Sequence, residues 1–85
     1  MLPLIENPDW EKIPIPTIGD IVRLRIEDPL TYLIQAKVES IRENEIQVEL
    51  INVFDWDTGG QVTSETEKYI GKKEIVKPEQ IWKKI

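Results

Sequence analysis

The stretch FDWDTGGQVTSE, Phe54 to Glu65, places Asp55, Asp57 and Gly60 at the first, third and sixth positions of a calcium-binding loop. Such a loop also needs an oxygen ligand at its fifth position and a bidentate Glu at its twelfth. Counted from Asp55 these positions are Gly59 and Thr66, with Glu65 and Glu67 each one residue out of place. The flanking residues alternate as strands do, whereas a calcium loop of this kind sits between helices. The same residues meet every requirement of a hairpin tip: Asp57 and Thr58 to start a turn, then Gly59 and Gly60, which accept positive φ at no steric cost. The tip is the better reading, and no metal is expected.

Most enzyme chemistry is excluded by what the chain lacks. With no cysteine and no histidine, thiol nucleophiles, thiolate metal sites, disulfides, imidazole bases and catalytic triads cannot be assembled. The carboxylate pairs Glu27-Asp28 and Glu43/Glu45 fall at turns, where water keeps both members ionised and neither is tuned for acid–base work. No glycine-rich phosphate cradle is present, and 85 residues leave little room for a deep cleft. A non-enzyme without a cofactor is expected.

The net charge of −5 is unevenly spread: residues 1–70 carry 14 acidic against 6 basic side chains, and residues 71–85 carry 5 lysines against 2 glutamates. An acidic body repels phosphates, so nucleic acid is not the expected partner. Lys72, Lys73, Lys83 and Lys84, with Trp82 as a stacking face, are the residues on which such a role would rest. The longest apolar run is Tyr32-Leu33-Ile34 and no basic, apolar leader opens the chain, so neither membrane insertion nor export is expected. Cytoplasmic residence as a monomer or weak dimer follows as the default.

These side chains have to be positioned by strands. Residues 1–17 hold four of the six prolines and read as an extended arm, followed by one domain over 18–85. From Gly19 the period is two. Val22, Leu24 and Ile26 face inward on a first strand, and Ile34, Ala36 and Val38 on a second. Arg42 to Glu45 forms a tight turn, with Asn44 at positive φ. A third strand turns Ile46, Val48, Leu50 and Phe54 inward, interrupted by Asn52. That leaves Ile51 and Val53 as an apolar outer pair, which the arm is expected to cover. Val62 to Tyr69 reads as a marginal edge strand. A short strand from Glu74 to Val76, a helical turn opened by Pro78 and a closing strand from Trp82 to Ile85 complete the chain.

Five short strands with a 3-10 turn before the last predict an all-β small barrel; an OB-like barrel or an open meander is the alternative. VKPEQIWKKI resembles the strand, proline-led turn and final strand that close SH3-like domains. IGDIVRLRI likewise resembles the opening strand of Tudor and KOW-type barrels. The Tudor resemblance implies an aromatic cage for a cationic or methylated side chain, here Tyr32 with Trp56, reinforced by Asp55 or Asp57. The KOW resemblance implies an RNA-binding edge made from the lysines. The loop EDPLT lacks the aromatic run with which SH3 domains bind proline-rich peptides, so none of those residues is carried over. A non-catalytic protein-interaction or accessory module is expected, docking a protein partner through Tyr32, Ile51, Val53, Asp55, Trp56 and Asp57.

Overall fold

The computed structural model describes residues 2–27, 29–62 and 66–85, with backbone alone at 66 and 67. Alternation of β-branched and polar residues produces three long antiparallel strands, β1 (Ile21–Glu27), β2 (Thr31–Arg42) and β3 (Glu45–Asp55). Two four-residue strands follow, β4 (Lys73–Val76) and β5 (Ile81–Lys84), separated by a 3-10 turn at Pro78–Gln80. The hydrogen-bonded order is β4-β3-β2-β1-β5. All-β architecture therefore holds, and the 3-10 turn stands where the sequence puts it.

The expected barrel is not closed: β4 and β5 are the two edges of one open sheet. Each is only four residues long, and the arm bonds to the chain where the 3-10 turn enters the last strand. Asn7 Nδ2 donates to Ile81 O at 3.1 Å, and Asn7 N–H donates to Glu79 O at 2.7 Å. The arm continues along the β1 edge that β5 leaves uncovered. Leu4 bridges Ile26, and Ile5 N–H donates to Arg25 O at 2.9 Å. It lies beside β1 and β5, not over the outer face of β3.

One face of the sheet buries Val22, Leu24, Ile26, Ile34, Ala36, Val38, Val48 and Leu50 completely, as the period of two requires. Val53 joins them, which corrects the expected parity of β3. Gln35 pairs with Asn52 but Ala36 with Leu50, so Ile51 is an extra residue, and this bulge reverses which side chains face inward after it. Val53 is thus core rather than surface, Asn52 no longer interrupts the core, and Phe54 turns outward. Tyr32, 5% exposed, is also core.

Two turns also depart from expectation. Between β2 and β3 it is Glu43, at φ 58°, and not Asn44 that takes the left-handed conformation. The chain just before β4 makes a single helical turn at Thr66–Tyr69 and buries Tyr69, where an edge strand was expected; residues 63–65 of that segment lie outside the described residues. No helix among the described residues is long and apolar enough to cross a membrane.

Candidate functional site

The Asp55 loop is organised by its own backbone. Asp55 Oδ1 accepts the N–H groups of Asp57 and Thr58 at 2.9 and 3.0 Å, and Gly59 donates to Asp55 O at 2.9 Å with φ at 75°. Asp55 N–H donates to Gly60 O at 2.8 Å, and Phe54 bridges Gln61. One carboxylate oxygen of the would-be first ligand is therefore spent on holding the turn. Glu65 and Asp28 lie outside the described residues, as does the side chain of Glu67, and no cluster suited to a metal ion occurs among the residues described.

What this loop positions is Trp56. The Arg25 guanidinium carbon stands 4.5 Å from the centroid of Trp56 and 5.2 Å from that of Trp82, and the two indoles meet edge to face at 5.5 Å and 75°. Trp82 is fixed in turn by its Nε1–H, which donates to Ile5 O at 2.9 Å. Arg25 points to this side because Leu24 and Ile26 are buried on the other. The cage implied by the Tudor resemblance does not assemble, because Tyr32 faces the core and Trp56 is stacked on the chain's own arginine. The sequence reading singled out Trp56 and Trp82 separately. Their meeting around Arg25 needs β5 to lie beside β1, and no local pattern carries that.

The lysines do not gather into one edge. Lys72 and Lys73 belong to the β4 end of the strand order, Lys83 and Lys84 to the β5 end. Lys73 pairs with Glu39 at 3.4 Å and Lys84 with Asp20 at 3.3 Å.

A groove of about 580 Å³ lies where the arm, the β2–β3 turn and the 3-10 turn at Pro78 converge. Ile46 and Ile81 form its buried floor, and Trp10, Ile13, Pro14 and Ile15 its arm side. Ile15 is 85% exposed and Trp10 38%. Glu11, Glu43 and Glu79 line it against a single cation, Lys77. The sequence reading missed this groove, since its walls come from three segments far apart in the chain. Of the expected partner residues, Asp55, Trp56 and Asp57 share one loop, half-buried Ile51 is the bulge on β3, and Tyr32 and Val53 are core. None of these lines the groove.

Comparison with known protein families, with curated proteins and with solved structures finds no match for this chain.

Proposed function

We propose that the protein is a non-catalytic interaction module that docks a protein partner in the groove beneath its N-terminal arm. The observation that carries this reading is the groove itself: an apolar floor and wall of about 580 Å³ rimmed by three carboxylates and one lysine. Exposed apolar surface enclosed by charge of one sign suits an extended segment with apolar side chains and Lys or Arg beside them. Proline-containing walls such as Pro14 and Pro78 lose little conformational entropy when a ligand settles on them. The strand order and the 3-10 turn before β5 support an SH3-like plan with an open edge.

A synthetic peptide alternating leucine and lysine tests this. Binding should be micromolar, the Trp10 indole Nε1–H signal should shift in a nitrogen–proton correlation spectrum, and Glu43→Lys with Glu79→Lys should weaken binding about tenfold. A silent Trp10, or equal binding of a leucine–glutamate peptide, rejects the groove as the docking site.

A further inference from the structure

Strand register builds a second surface on the outer face of the sheet. Lys83 stands opposite Arg23, Arg23 opposite Gln35 and Gln35 opposite Asn52, one line across four strands. Gln61 Nε2 extends it by donating to Asn52 Oδ1 at 3.4 Å. In a chain with 16 acidic residues this line contains none, and among the described residues neither Arg23 nor Arg25 has a carboxylate in ion-pair range. Parallel to it runs an aromatic and apolar line: Trp82, Arg25, Leu33 and Phe54, with Trp56 closing against Arg25.

We propose that this face binds single-stranded nucleic acid, with phosphates along Arg23, Lys83 and Gln35 and bases against Trp56 and Trp82. The site is distinct from the groove and does not depend on it for its chemistry. Both arginines bury their Nε atoms, so each guanidinium is held by packing, Arg25 against the two indole rings, and neither is neutralised by a carboxylate of the described residues. Arg25 fixes the two indoles before any ligand arrives, which lowers the ordering cost of stacking on them. Four strands at about 4.8 Å spacing give a line of about 14 Å, room for two or three nucleotides. An acidic peptide would satisfy the donor line and leave the rings unused; a planar base uses both. Acidic side chains bound the patch at Glu27, two residues beyond Arg25 on the same strand, and at Asp55 and Asp57 on either side of Trp56.

The experiment titrates the intact protein with an oligothymidylate of about ten nucleotides and, separately, with oligoglutamate of equal length, at about 20 mM salt. The chain's three tryptophans report on both surfaces at once, Trp10 on the groove and Trp56 and Trp82 on the sheet face. Expected are shifts of the Trp56 and Trp82 indole signals with Trp10 unmoved, quenched emission, and a log–log salt slope of about −1.4, as two phosphate contacts predict. Arg23→Gln and Lys83→Gln, which remove charge without touching the core, should each lower affinity about tenfold and flatten the slope by about 0.7. Silent Trp56 and Trp82 signals at low salt overturn the proposal. So does unchanged affinity in both variants, and so does oligoglutamate binding as tightly as the oligonucleotide, which would assign the face to a carboxylate-rich protein. Should either variant unfold, the parent's pattern of shifted indoles and its preference between the two probes decide. A shift at Trp10 in the leucine–lysine titration is read independently of these outcomes.

Discussion

The groove and the outer sheet face are made by the same acidic chain, yet one is rimmed by carboxylates and the other has a line of donors with no carboxylate in it. The difference is one of construction. The face is set by strand parity and register: once Leu24 is buried, Arg23 and Arg25 must point outward, and β5 must bring Trp82 beside them. The groove is set by tertiary convergence of the arm, a hairpin tip and a 3-10 turn. Net charge therefore says little about either surface, because register can separate acids from bases over a few ångströms. The two regions also share a tether, since the arm that walls the groove accepts the Trp82 indole N–H at Ile5 O.

Cutting that arm loose gives the largest expected effect. Asn7 is 5% exposed and serves four bonds: its side-chain Nδ2 donates to Ile81 O and its Oδ1 accepts Asp9 N–H at 3.0 Å, while its backbone N–H donates to Glu79 O and its carbonyl accepts Trp10 N–H. Asn7→Ala leaves a buried carbonyl and an amide without their side-chain partners, which costs about 2–3 kcal/mol. Melting by circular dichroism should fall about 10–20 °C, and the Trp10 indole signal should collapse toward its random-coil position. If the face is the more autonomous region, Trp56 keeps its native shift at temperatures where Trp10 has lost it. Simultaneous loss of both would show that the two surfaces form one cooperative unit.

Trp56→Ala attacks the comparison from the other side. It removes one cation–π contact and one edge-to-face aromatic pair, together about 1–2 kcal/mol, and should lower the melting temperature about 5–10 °C. Affinity for the leucine–lysine peptide should be unchanged, because Trp56 does not line the groove.

The two regions were unequally legible in the sequence. Period-two patterning was enough for β1, β2 and the inward Ile46, Val48 and Leu50, because parity is a local property. It failed at Ile51: a bulge adds one residue without altering composition, so Val53 reads as surface and Phe54 as core although both are reversed. Asn52, which looked like a polar flaw in the core, was the visible trace of that shift. Asn44 was the better positive-φ candidate by type, yet the pairing of Arg42 with Glu45 makes Glu43 the first loop residue, and there the left-handed conformation falls. The arginine between two indoles and the groove both join segments distant along the chain. No window of residues contains them.

Glu43 lets stability and groove binding be moved in opposite directions. A non-glycine residue at φ 58° is strained, and glycine there should relieve about 0.5–1 kcal/mol. Glu43→Gly should raise the melting temperature about 2–6 °C while weakening the leucine–lysine peptide a few-fold, since one rim carboxylate is gone. Oligonucleotide binding at the face should not change. A variant that melts higher and binds the peptide as before would remove Glu43 from the rim.

The smallest effect is a pH dependence centred on Asp20, which joins the turn before β1 to the end of β5. Thr17 N–H donates to its Oδ2 at 2.7 Å and Thr17 Oγ1 at 3.0 Å, while Lys84 Nζ stands 3.3 Å away. These contacts, the backbone bond first, hold its pKa below the usual 3.8. A depressed carboxyl pKa means that the unfolded chain takes up the proton more readily than the folded one. The stabilisation is then complete well above pH 3.8 and is lost as pH falls through the lower folded value. Asp20→Asn should therefore melt slightly below the parent at neutral pH, with the gap narrowing only below about pH 4. A gap that closed near pH 6 instead would mean that Asp20 is not the group that titrates.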